Sequence, residues 1–203
     1  MWLGIHFWLV LVFACDVRAA DANPYLLQEG DIVFSGSARG QGEAIIAATA
    51  SPWTHCGIVF VKDGRLMVLE AVQPVGITTL DAFIARGGAA FTARRLKIAP
   101  APDAVQKART WATAQIGRDY DAAFRWDDQR FYCSELVWKF YQRAGIELCP
   151  PRHFRDYNLQ HPAVRKIIDQ RYGGINHVPL DEKVVAPSDL AASPLLAEAP
   201  RKR

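Results

Sequence analysis

The chain has 203 residues, half of them hydrophobic and 22% charged, the proportions of a globular protein with a core rather than a disordered segment. Its formal charge of +3 is too small to mark a nucleic-acid partner, and part of that excess sits in the closing Pro200-Arg201-Lys202-Arg203. No internal repeat divides the chain.

The opening residues, MWLGIHFWLVLVFACDVRAADA, carry about a dozen apolar residues followed by small ones. That run is too short to span a bilayer and fits the apolar region of a secretory leader. Val17 and Ala19 suit the small-residue rule for cleavage after Ala19. The expectation is a leader over 1–19, one globular domain over 24–196 and a flexible basic tail over 197–203, in an exported, periplasmic or secreted protein. Val12-Phe13-Ala14-Cys15 loosely resembles a lipoprotein signal, with Phe13 a poor fit. Membrane association would require an uncleaved leader or an acylated Cys15. Removal of the leader leaves Cys56, Cys133 and Cys149, an odd number that forms no disulfide framework. Nothing positive supports a Cys56–Cys149 bridge.

A strand is expected near Asp31–Phe34, then a short helix in GQGEAIIAATAS that Pro52 closes. THCGIVFV and LMVLEAV read as two strands joined through Asp63-Gly64, the strongest two-residue hairpin signal. GITTLDAFIARGG reads as a short strand and a helix capped by Thr79, and AAFTARRLKI as a further strand. After the linker APAPD, a helix is expected from Asp103 to Ile116, ending at Gly117. The next helix opens at Cys133 and stops at Gly145, with Leu136, Val137, Phe140, Tyr141 and Ala144 forming one apolar stripe. AVRKIIDQRY gives another helix and APSDLAASPLL a short one capped at Ser188. The fold class is α+β, a small antiparallel sheet with helices before and after it.

A cysteine on the first turn of a helix differs from one in its interior. Unpaired backbone N–H groups and the macrodipole both favour its thiolate. The hairpin supplies a candidate base. With Asp63-Gly64 as the loop, Gly57 faces Glu70 and His55 faces Val72, so His55 and Glu70 are diagonal neighbours on one face of the sheet. Gly57 lies between them with no side chain. A carboxylate beside an imidazole fixes its tautomer and steadies its protonated form, as a thiol nucleophile requires. Each residue alone also has a plain structural reading. A histidine at a strand start packs, a strand glutamate is solvated, and Cys56, on the opposite face, belongs to the core. Glu70 weakens its own structural reading, because VLEAV sets it among apolar residues where an unpaired carboxylate is costly.

EGDIVF, ATASPWTHCGIVF, VLEAV, GRDYDAAF and FYCSELVWKFY, in this order, resemble the YiiX/YebB-like group of permuted papain-like cysteine hydrolases, relatives of the NlpC/P60 superfamily. The resemblance covers most of residues 26 to 193. It implies a circularly permuted papain-like fold and a catalytic set of Cys133, His55 and Glu70, the residues that the hairpin register also reaches. Cys56 stands where the family has a Val-like residue. The Tyr120-Asp121 pair matches the family's Tyr-Asp loop before the nucleophile, and Tyr132 flanks the Cys; all three are candidates to contact substrate. The implied reaction is hydrolysis of an amide in a peptide, a cell-wall peptide or an acylated amine. Acyl transfer to a lipid or amine acceptor, and a binding module without turnover, are the alternatives. Asp31 is expected to be structural, Glu135 to serve the helix N-terminus, and Ser134 to be an alternative cap. No cofactor is expected, and Cys149, His153, His161 and His177 fit no strong zinc spacing.

Overall fold

A computed structural model describes residues 23–88 and 90–203. The leader over 1–19 and Cys15 lie outside the described residues. Among those described, no helix is long and apolar enough to cross a membrane.

The β2 (His55–Lys62) to β3 (Arg65–Ala71) hairpin is the element most directly dictated by sequence. Asp63 and Gly64 both take positive φ, +51° and +72°, as a type I′ turn requires. The turn fixes the register from Lys62↔Arg65 to Ile58↔Leu69. There the ladder ends. The expected pairs Gly57–Glu70 and His55–Val72 fall beyond it; β3 closes at Ala71, and its last residues pair on the other side with β4 (Val75–Thr79), through Glu70↔Gly76 and Ala71↔Val75. β1 (Ile32–Gly36), β5 (Ala90–Leu96) and β8 (Leu196–Glu198) complete a six-stranded antiparallel sheet ordered β4-β3-β2-β1-β5-β8, while β6 (Arg152–His153) and β7 (Lys183–Val184) pair separately.

Alternation along the strands creates two cores. Cys56, Ile58, Phe60 and Leu69 pack beneath α4 (Cys133–Arg143), while Val33, Val59 and Val68 pack against Leu80, Phe83 and Ile84 of α2 (Leu80–Arg86). Thr79 caps α2 as expected, its hydroxyl accepting from the Ala82 N–H. A third apolar cluster joins α1 (Gly42–Thr49) to α5 (Pro162–Tyr172). α3 (Pro102–Thr113) ends three residues short of the expected Ile116, and the chain then turns toward Gly117 at φ +90°.

α4 is buried more completely than its stripe predicts. Every residue from Cys133 to Tyr141 is inside, including three polar ones. Ser134 does not cap the helix; its hydroxyl donates to the Val185 carbonyl at 2.6 Å. Glu135 accepts from the Tyr132 N–H at the helix start and from Lys139 Nζ at 2.7 Å. Lys139 also donates to Asp127 O and Asp128 Oδ1 and lies over the Trp126 and Phe131 rings, so its buried charge is compensated. Asp31 is structural as expected, accepting from Arg95 at 2.7 and 2.8 Å.

Two sequence expectations need correction. Ser188 is not the cap of α6 (Pro187–Ala191); Pro187 occupies the first turn, Ala186 precedes it, and Asp189 Oδ2 accepts from the Ala186 N–H at 2.7 Å. The tail over 197–203 is not outside the fold. β8 pairs with the free edge of β5 from Leu96↔Leu196 to Arg94↔Glu198, and Arg201 bridges to Tyr25 and binds Glu198. An uncovered strand edge is a pairing site, and this one is satisfied from within the chain.

Gly57 explains how the hairpin brings its partners together. A Cβ there would lie 2.4 Å from Val68 Cγ1, 2.9 Å from the Leu69 carbonyl oxygen and 3.2 Å from Glu70 Cβ. Gly57→Ala is therefore expected to cost about 1–3 kcal/mol of stability, read as a lower urea midpoint. An unchanged midpoint would show that β3 yields there without strain.

Candidate active site

Three elements converge at the end of the sheet. α4 presents Cys133 on its first turn, 5% exposed. β2 opens with His55, and β3 brings Glu70, which is fully buried. His55 Nε2 lies 2.5 Å from Glu70 Oε2. The Thr78 hydroxyl of β4 donates to Glu70 Oε1 at 2.6 Å, and the Arg86 guanidinium of α2 donates to both carboxylate oxygens. The His55 ring packs 5.6 Å from that of Phe83. Burial alone would neutralise Glu70, but the bonds from His55, Thr78 and Arg86 overcome it and hold the carboxyl below its usual range.

With Nε2 committed to Glu70, Nδ1 is the ring nitrogen left for the Cys133 sulfur. Cys133 and His55 hydrogen-bond and stabilise each other's charge. The Cys133 thiol is held well below the ordinary thiol range. Its first cause is a hydrogen bond from the Cys56 thiol; burial opposes this, and the charge of His55 reinforces it. For His55, burial favours the neutral ring, yet the Cys133 thiolate and Glu70 outweigh it and raise the imidazolium to about 9. Both shifts run toward a thiolate–imidazolium pair.

The Tyr120–Phe131 loop is closed by a bridge between its two ends and leads straight into Tyr132 and Cys133. The phenol oxygen of Tyr120 accepts from Gln41 Nε2 at 2.8 Å, and the Arg171 guanidinium holds Gln41 from behind. Burial and the nearby Cys133 charge push the phenol upward, so Tyr120 stays neutral and keeps its own O–H to donate. Asp121 is buried but does not line the cleft. Its carboxylate accepts from the Ala123 and Arg125 N–H groups at 2.9 and 2.5 Å, which shapes the turn that sets Phe124 at φ +51°. Tyr132 is both core and wall: it is buried, its hydroxyl accepts from the Val185 N–H, and its ring meets Phe124 at 5.1 Å.

Cys133, Tyr120 and Tyr132 line a cleft that α1 and α5 enclose with side chains such as Ala44, Ile45, Ala48, Val164 and Ile168. Apart from Gln41, Arg171 and the site residues, its walls are almost entirely apolar. The sequence reading missed this cavity, the Thr78–Arg86 clasp on Glu70, the Gln41–Arg171 support of Tyr120, and the contact of Cys56 with Cys133. Alternation placed Cys56 on the apolar face of β2 but carried no signal for that contact.

A family model described as permuted papain-like amidase enzyme, YaeF/YiiX, C92 family, matches residues 26–198. The uncharacterized protein YiiX of Escherichia coli K12 is 35% identical over 190 residues, covering 93% of this chain and 92% of that one. The crystal structure of the metalloprotein YiiX from Escherichia coli O157:H7 is similar with a TM-score of 0.80 and 35% identity, over 86% of this chain and 97% of that one. A resident metal does not fit the described residues here. Among the described residues, no three His, Cys, Asp or Glu side chains form a group that could hold a metal ion, and His55 Nε2 is already taken by Glu70. From its matching family model, its similarity to YiiX and its α+β architecture, the chain belongs to the permuted papain-like amidases of the YaeF/YiiX family.

Proposed function

We propose that this protein hydrolyses amides of apolar acyl chains, with Cys133 as nucleophile, His55 as proton carrier and Glu70 as the group that orients His55. The observation that carries the substrate class is the cleft: the sulfur opens onto walls that offer an acyl chain burial and offer a polar peptide few partners. The thiolate attacks the amide carbon, and the carbonyl electrons move to oxygen. The resulting oxyanion faces the N–H of Cys133 at the helix start and the O–H of Tyr120. His55 gives its proton to the departing amine, which leaves a thioester on Cys133. Neutral His55 then takes a proton from water as the hydroxide adds to the thioester. The fatty acid departs and the ion pair reforms. Export through the 1–19 leader would place this reaction at the cell envelope.

The test is a series of N-acyl amides that differ only in acyl length. Each buried methylene contributes about 0.8 kcal/mol, so kcat/KM should rise roughly fourfold per added carbon until the cleft is filled. A flat series would remove the acyl chain as the recognised group and return weight to peptide or cell-wall substrates. Added amine or alcohol distinguishes hydrolysis from transfer, since a transferase diverts the acyl group into a new amide or ester.

A further inference from the structure

We infer that Cys56 is a positioning residue for the nucleophile, its thiol donating a hydrogen bond to the Cys133 sulfur. The inference rests on the reading of Cys133 as nucleophile and concerns a residue at which this chain departs from the Val-like pattern. Three observations place Cys56 there. It follows His55 directly on β2, so the strand that carries the base also carries this thiol. It is fully buried opposite Phe34, on the sheet face that α4 covers, and belongs to the same apolar core as Cys133. It lies beyond the last β2–β3 pair, Ile58↔Leu69, so it sits past the end of that ladder. The strand that supplies the base thus also sets a thiol donor under the helix that supplies the sulfur.

The arrangement is asymmetric. Burial and the Cys133 charge push the Cys56 thiol well above its ordinary range, so it remains protonated and can only donate. Cys133 is driven the opposite way and accepts. A valine at position 56 would fill the same space against Phe34 and α4 but supply no donor. A serine would supply one.

The experiment measures the rate of iodoacetamide alkylation of Cys133 against pH, with the modified residue located by mass, in the wild type, Cys56→Val, Cys56→Ser and Cys56→Ala. Wild-type alkylation should reach half its maximum well below the ordinary thiol pKa of about 8.5. Cys56→Val and Cys56→Ala should move that midpoint upward and slow alkylation at pH 6 about tenfold, while Cys56→Ser keeps the wild-type profile. Two folded variants without the donor that retain the wild-type midpoint overturn the inference, as does a serine variant shifted as far as valine. If valine does not fold, alanine carries the comparison. A wild-type Cys133 that titrates as an ordinary thiol would instead defeat the nucleophile reading itself, which separates the two failures.

Discussion

Cys133→Ser is expected to lower kcat/KM by about 10⁴-fold or more on an acyl amide while leaving the fold in place. In the proposed mechanism the anion exists before substrate arrives: the Cys56 hydrogen bond and the His55 charge both favour the thiolate. A serine hydroxyl does not ionise under the same stabilisation, so the nucleophile disappears. Without the thiolate, the largest force raising His55 also disappears, and burial draws the ring toward its neutral form. Structurally the exchange is mild. Residue 133 is small, and a hydroxyl can bond to His55 from the same position, so the thermal midpoint should stay within roughly 4 °C of the wild type. Incubation with an acyl amide followed by intact-mass analysis should show a thioester adduct on the wild type and none on the variant. A serine variant that retains a tenth of the activity would move the nucleophile elsewhere. If the wild type and variant bound the acyl amide equally and neither turned it over, the protein would be a binding module.

The parts of this site that were legible in sequence are those fixed by short-range rules. The Asp63-Gly64 turn sets a register of two strands with no freedom to slip, and Gly57 opens the space between His55 and Glu70. Cys133 was legible because helix starts have local signals. What was not legible comes from long-range contacts. Thr78 and Arg86 reach Glu70 from β4 and α2, and nothing in either segment marks them for that contact. The cleft forms where α1 meets α5, more than a hundred residues later in the chain. Cys56 was assigned to the core by alternation, and correctly so. Alternation cannot say that α4 covers that face with its first residue above Cys56. The tail was misjudged because a run of basic residues reads as solvated, whereas the unpaired edge of β5 requires a strand and β8 supplies it.

Glu70→Gln tests the orienting carboxylate with little change in shape. Glutamine keeps the volume and an acceptor oxygen but removes the charge, and its amide nitrogen competes for His55 Nε2. Either nitrogen of the ring can then carry the single proton of neutral His55. Only the form protonated on Nε2 leaves Nδ1 free to accept from water or sulfur. A loss of about 10²–10⁴-fold in kcat follows from this disorder of the tautomer. The pH profile gives a second readout. In the wild type, activity should fall above about 9, where His55 loses the proton that the leaving amine needs. Glu70 is one of the charges that raises that value, so its removal lowers it and the alkaline limb moves toward neutrality. Stability changes on the opposite side of the scale. The folded carboxyl is depressed, so it contributes stability above its unfolded pKa of about 4.3 and loses it as pH falls through the folded value. The glutamine variant should lack this part of the acid dependence in urea titrations. Arg86 loses its anion, but its side chain is 46% exposed and regains water, so the variant folds. A variant that kept both the wild-type rate and a limb near 9 would leave Glu70 as an anchor for Arg86 and Thr78 only, with the His55 ring set by its contact with Phe83.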